Sequence, residues 1–271
     1  QRQMCIRDRF LVMVSGMGTI AGSVMGTYIG MLGGTDPAAK VLFATHLLSA
    51  SVMAVPGSIV LAKMLCPQTE EATDHVAISG KEKENSNILD AISSGTVTGV
   101  KLMTNIAAML LVFISLVALA NYITEGVIGR YTGLNDWIVK ITDGKAQGLT
   151  FQFILGVITS PFMWLIGVPS QDIMLVGSLL GQKTILNEFV AYFQLQQWKD
   201  AGLFMHEKSI LMSTYILCGF ANISSIGILL GGLGVLAPEK RGLISRIGVP
   251  AMIGGALVSV LSATIIGMIL G

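Results

Sequence analysis

Gly181-Gln182-Lys183-Thr184-Ile185-Leu186-Asn187-Glu188-Phe189-Val190-Ala191-Tyr192 sets an amine, two amides and a carboxylate inside an apolar region that runs from Ile173 to Trp198. At bilayer depth a carboxylate is costly unless it faces a cavity, a partner or a ligand. Glu188 is therefore the first functional candidate. Three kinds of chemistry are open to it: a ligand-binding acceptor, the general base of an intramembrane enzyme, or half of a structural ion pair with Lys183. The enzyme reading lacks companions, because the chain has no HExxH pair, no GxSxG elbow and no Cys/His pair.

A second polar cluster, Cys218-Gly219-Phe220-Ala221-Asn222-Ile223-Ser224-Ser225, falls within the apolar stretch Ser209 to Pro238. Ser15-Gly16-Met17-Gly18-Thr19-Ile20-Ala21-Gly22-Ser23 aligns with it at Gly16/Gly219 and Ile20/Ile223, and sets Thr19 opposite Asn222. Broken helices in corresponding positions of two halves are what inverted-repeat transporters carry at their binding site. Gly16-Met17-Gly18 does not make a dinucleotide fingerprint, since the third glycine is misplaced and no strand precedes it. Cys5, Cys66 and Cys218 are far apart and form no cluster with His46, His75 or His206. No metal-ligand spacing or disulfide framework results, and no cofactor is expected.

The elements that must position these groups are membrane helices. Hydrophobic residues make up 52% of the 271 and charged residues 12%, with a mean hydropathy of +0.72. A soluble domain carries about twice that charged share. Long uncharged stretches cover Phe10–Thr35, Val41–Ala62, Leu102–Thr124, Leu149–Gln171, Ser209–Pro238 and Ile247–Gly271. Each reaches the ~20 residues that a spanning helix needs, and none alternates as barrel strands do. The net charge of +1 gives no electrostatic basis for a nucleic-acid partner.

Along the chain, Gln1 to Arg9 carries four charged residues before the first apolar span, as a piece of a longer protein would. Residues 10–66 hold a broken helix and a following helix, joined by a turn at Thr35-Asp36-Pro37 with Pro at the first helical position. Gly18, Gly22, Gly26 and Gly30 recur every fourth residue and make a smooth face for another helix. Residues 67–101 read as a solvated loop and an amphipathic piece, and 102–127 as a scaffold or oligomer helix. Gly126 to Gly148 is expected to be a polar connection with Tyr131 and Trp137 as interfacial anchors. In 128–271, Pro161 and Pro169 are expected to break one span, and a re-entrant hairpin is expected over about 170–198, with its junction at Gln182-Lys183-Thr184. A broken helix over about 209–238, a charged loop from Glu239 to Arg246 and a last helix at 247–271 complete the chain. The fold class is thus an all-α integral membrane protein with a re-entrant hairpin and broken helices.

Gly181-Gln182-Lys183 followed by Asn187-Glu188-Phe189-Val190-Ala191-Tyr192 resembles the signature of the concentrative nucleoside transporters. Thr19-Ile20-Ala21-Gly22-Ser23-Val24, Tyr215 to Ile223, and Gly231-Gly232-Leu233 through Ala237-Pro238 agree with it, so the resemblance runs from about Phe10 to the end. It implies an elevator-type, cation-coupled nucleoside symporter, multi-pass in the plasma or inner membrane and homotrimeric. In such a protein Glu188, Asn222 and Ser225 would bind the ribose, and Phe220 and Val24 would border the nucleoside. Thr19 and Ile20 would hold a sodium ion. Lys183, Asn187 and Gln182 would be gating or structural. The family's first half, with the hairpin that contacts the base, has no counterpart here, so the activity would belong to the intact protein. Proton coupling is the alternative within this class, and a non-transporting nucleoside receptor or assembly protein the alternative outside it.

Overall fold

The computed structural model describes residues 6–67, 87–142, 144, 146–236 and 241–271. Among them the regular elements are helices: α1 (Ile6–Gly18), α2 (Gly22–Gly33), α3 (Pro37–Leu65), α4 (Ile88–Asn121), a π-helical segment (Tyr122–Gly129), α5 (Arg130–Thr132), α6 (Leu134–Ile141), α7 (Phe151–Leu165), α8 (Ile173–Ile185), α9 (Glu188–Asp200), α10 (Glu207–Leu217), α11 (Ile223–Leu236) and α12 (Arg241–Ile269). Among the described residues, three stretches are long and apolar enough to cross a bilayer: Phe10–Gly33, Pro37–Leu65 and Ser245–Ile269. Their outward faces are apolar, with Val52 71% and Met64 69% exposed on α3. Such faces are stable against lipid and unfavourable against water. The protein is an all-α, multi-pass membrane protein.

Local chemistry explains the joints. Asp36 caps α3, its carboxylate accepting from the N–H groups of Ala38 and Ala39 (3.0 and 3.3 Å), with Pro37 at the first helical position, as the sequence predicts. The Phe10 to Thr35 stretch is interrupted between Gly18 and Gly22, and the Ser209 to Pro238 stretch between Leu217 and Ile223. Residues 68–86, most of the predicted solvated loop, and Glu239 and Lys240 lie outside the described residues. So does the stretch 1–5, which includes Cys5.

α4 carries the amphipathic piece into the 102–127 stretch without interruption, capped at its start by Asn87, whose side chain accepts from Asp90 N (2.9 Å). Three expectations need correction. Gly126 to Gly148 is largely helical. Leu134, Ile138 and Ile141 recur at helical spacing, and Asn135 ties the segment together, donating to Glu125 O (3.0 Å) and accepting from Leu149 N (2.9 Å). Pro161 stays inside α7, flanked by Thr159 and Ser160 hydroxyls that donate to Leu155 O and Gly156 O (2.8 and 2.6 Å). The break comes afterwards, at Gly167 with φ +84°. Finally, α12 begins at Arg241, so Arg241 to Arg246 is helix rather than loop.

The hairpin is formed by α8 and α9. Asp172, at the start of α8, accepts from the N–H groups of Met205 and His206, just beyond the end of α9 (3.0 and 3.1 Å). The two arms therefore share one base and run antiparallel. At 13 residues each, they are ~20 Å long and cannot cross the ~30 Å hydrocarbon core. The tip lies at Leu186–Asn187, not at Gln182-Lys183-Thr184, which form part of the last turns of α8. Asn187 decides this: its side chain accepts from Val190 N (2.9 Å) and starts α9. α7 lies antiparallel along α8 at close range, since a Cβ on Gly181 would stand 2.5 Å from that of Leu155.

Two buried clusters hold the elements. One gathers Tyr28, Leu47, Leu179, Tyr192, Tyr215 and Ile216 from α2, α3, α8, α9 and α10. The other joins Met13, Met17, Ala54, Ala251 and Val258 from α1, α3 and α12. α4 stands apart, packing on the π-helical segment and on α7, with Met103, Leu111 and Leu116 exposed.

Candidate binding site at the helix breaks

The two helix breaks cross. A Cβ on Gly219 would lie 3.1 Å from Gly18 O and 3.3 Å from Met17 O. This close approach is what the absence of a side chain permits. The tip of the α8–α9 hairpin meets the second break, and there Asn222 Nδ2 donates to Glu188 Oε2 at 3.0 Å. Glu188 is 5% exposed and Asn222 fully buried. Asn222 is itself fixed: its Oδ1 accepts from Ser225 N (2.7 Å) and Ser224 Oγ (2.6 Å), and Ser225 Oγ donates to Asn222 O (2.6 Å). The structure thus brings Glu188 together with Asn222 and Ser225, which are distant from it in sequence. Phe220 and Val24 are half-buried, Val24 against the first cluster.

Two residues outside the sequence-based site pack beside it. Tyr28, fully buried on α2, stacks on Tyr192 with ring centroids 4.2 Å apart and 23° between planes, and stands 6.3 Å from Phe189. Its phenol lies within electrostatic reach of the Glu188 carboxylate. Tyr192 in turn donates its hydroxyl to Thr214 O (2.9 Å). A tyrosine in a glycine-rich membrane helix signals such a role, because a buried phenol needs a partner.

Thr19 and Ile20 occupy the first break, both half-buried. The Thr19 hydroxyl donates to Ser15 O (3.0 Å), which leaves its oxygen lone pairs available to accept a cation. Gln182 is buried and donates to Ser178 Oγ (3.2 Å). Lys183 forms no direct ion pair with Glu188 among the described residues. Its Nζ instead donates to Ile216 O (2.7 Å) and Ser259 Oγ (2.8 Å).

The sequence model described as Na+ dependent nucleoside transporter C-terminus matches residues 46–267. The chain belongs to this family. Among its relatives, an uncharacterized transporter of Haemophilus influenzae is 38% identical over 273 residues, covering 100% of this chain and 60% of the relative. The sodium/nucleoside cotransporter 1 of Rattus norvegicus is 36% identical, covering 98% of this chain and 40% of the relative. Among solved structures, CNTnw in an inward-facing substrate-bound state superposes with a TM-score of 0.77 at 34% identity, covering 100% of this chain and 59% of that one. An intermediate state of a CNTnw variant reaches 0.81 at 36% identity, covering 98% and 60%. The chain therefore spans about three fifths of the length of its bacterial relative. The family consists of transporters, which removes the general-base reading of Glu188.

Proposed function

We propose that the intact protein is a sodium-coupled nucleoside symporter of the cell membrane. The observation that carries this reading is the buried Glu188–Asn222 pair at 3.0 Å, built from a hairpin tip and a helix break. A ribose presents vicinal hydroxyls. A carboxylate accepts from them, while the Asn222 amide and the Ser225 hydroxyl both donate and accept. Groups left unpaired by a ligand without the sugar would each cost about 1–3 kcal/mol, which discriminates against a free base. Phe220 and Val24 border the nucleoside. Thr19, by hydroxyl and carbonyl, and Ile20, by its carbonyl, hold the sodium ion with the hard oxygens it prefers. Gln182, Lys183 and Asn187 are structural or gating residues.

Residues 10–66 and 128–271 would then end one inverted repeat and form the other, moving as an elevator against a scaffold that includes 102–127. The exposed apolar residues of α4 would serve as the contact between subunits of a homotrimer. The rat relative's name, which joins sodium to nucleoside, supports the choice of ion.

The test is uptake of labelled uridine and adenosine by transport-deficient cells carrying the full-length gene, with and without a sodium gradient. Sodium-dependent accumulation supports the reading. Accumulation driven by acid outside and indifferent to sodium would replace sodium with the proton. Binding without accumulation in sealed vesicles would favour a receptor.

A further inference from the structure

The hairpin carries a second polar face, away from the breaks. On α9, Gln194, Gln197, Trp198 and Ala201 recur at helical spacing and form one stripe. The stripe lines a cavity of about 1020 Å³, enclosed by the base of the hairpin, the end of α4 with the π-helical segment, and the start of α7. That volume lies at the upper end of the ~300–1,000 Å³ range of ligand sites. Ser170 and Met205 line it at the hairpin base, and Ser178 and Gln194 are its lining residues farthest along the two arms. Each arm is ~20 Å long and the tip is at the breaks, so the base and the cavity beside it open toward one edge of the membrane. Gln194 follows Glu188 by six residues, about 9 Å along α9.

The lining is rich in amides. Gln147, Gln152, Gln194 and Gln197 supply carboxamides, Glu125 a half-buried carboxylate, and Phe153 and Trp198 aromatic rings. Amides turned toward lipid would go unsatisfied, so this face is built for water or for a ligand that hydrogen-bonds. Some of the amides order one another. Asn121 donates through Nδ2 to Gln152 Oε1 (3.2 Å) and accepts from Phe151 N (2.8 Å), and Gln194 Nε2 donates to Gln197 Oε1 (3.3 Å). These bonds do not use Nε2 of Gln152 or Gln197, or Oε1 of Gln194, which can serve a ligand as donors and acceptor. Among the described residues Glu125 is the only charged group in the lining, which disfavours an anionic ligand.

Carboxamides meet base edges with a donor and an acceptor at once, and aromatic faces stack on bases. A carboxylate accepts from sugar hydroxyls. The lining thus matches in kind the groups at the breaks, where Glu188, Asn222, Ser225 and Phe220 offer a carboxylate, an amide, a hydroxyl and a ring. We propose that this cavity is a second nucleoside-binding site, an antechamber between one membrane edge and the central site; the proposal rests on the symport reading above.

The experiment places Gln197→Cys and, as a second position on the same stripe, Gln194→Cys in the full-length protein. Melting curves that match the wild type show which variants are folded. The purified proteins are treated with a charged maleimide, and labelling is measured above that of the wild type with its native cysteines. Both positions should label, and uridine at about ten times its half-protecting concentration should slow the reaction by about tenfold. The protection should persist when Glu188→Gln is added to weaken the central site. Labelling that uridine does not slow would overturn the proposal and leave a water-filled cavity. No labelling at either position would overturn it too, with another part of the protein covering the face. Protection abolished by Glu188→Gln would assign the effect to the central site instead. Uptake of uridine by the wild type, measured alongside, separates the two readings: accumulation without protection overturns the antechamber alone, whereas neither accumulation nor protection overturns the symport reading with it.

Discussion

The two helix breaks share a sequence pattern but differ in how they are finished. The break at 218–222 is closed: Cys218, Gly219, Ala221 and Asn222 are buried, and Asn222 is hydrogen-bonded to Ser225 and to Glu188 of the hairpin tip. The break at 19–21 is open. Thr19 and Ile20 are half-buried, and Ala21, Gly22 and Ser23 are exposed. A Cβ on Gly22, Gly26 or Gly30 would meet nothing within 4 Å, whereas one on Gly18 would press against Ser58 and Val258. Within this chain, then, the predicted helix-contact stripe is used only at Gly18. The lesson is that an interrupted membrane helix is completed by whatever hairpin meets it, since unwound backbone at that depth must find partners. Here the second break has its hairpin, and with it the groups proposed to hold the sugar.

The sharpest way to break this comparison is at the hairpin tip. Glu188→Gln removes the charge but keeps the shape, and uridine uptake should fall by about 100-fold, equivalent to ~3 kcal/mol. Unchanged uptake would detach the closed break from the sugar. Asn222→Ala takes away the partner that orients the carboxylate, and a loss of about 30-fold is expected, read as nucleoside affinity at saturating sodium. An effect confined to sodium affinity would assign Asn222 to the cation instead.

Packing offers a second contrast. Gly181→Ala forces a methyl group against Leu155, and the melting free energy should drop by about 1–3 kcal/mol. Gly26→Ala, on the open face, should leave the melting of this chain unchanged. Comparable losses at both positions would mean that the open face is covered. The smallest expected effect on transport belongs to the first break itself. Thr19→Val deletes one of the proposed oxygen ligands, and the half-saturating sodium concentration should rise by about tenfold, or ~1.4 kcal/mol, with nucleoside affinity at saturating sodium preserved. A rise in nucleoside KM instead would place Thr19 on the substrate.

Much of this was legible in the residues. The scarcity of charge and the long apolar stretches dictate membrane helices, because a lipid solvent admits few other ways to satisfy a backbone. The isolated Glu188 marks a candidate site, since a carboxylate at that depth needs a reason. Asp36-Pro37 announces a helix start through chemistry confined to a few neighbouring residues. Other features were misread for the same reason of range. Pro161 was expected to end a helix that flanking hydroxyls and the packed face of α8 sustain. The Gln182-Lys183-Thr184 trio looked like a polar tip, yet Lys183 reaches across to α10 and α12 and helps seat the last turns of α8 within the core.

The sequence by itself determined which segments are apolar, where local caps and turns fall, and which polar groups demand explanation, because these depend on side-chain chemistry and near neighbours. Only the tertiary structure decided that Glu188 meets Asn222 rather than Lys183, that Tyr28 stacks on Tyr192, and that the two helix breaks come together at Gly219. Those pairings are settled by close packing between segments far apart in the chain, where each polar group must find a partner within about 3 Å and one amino-acid spacing cannot say which.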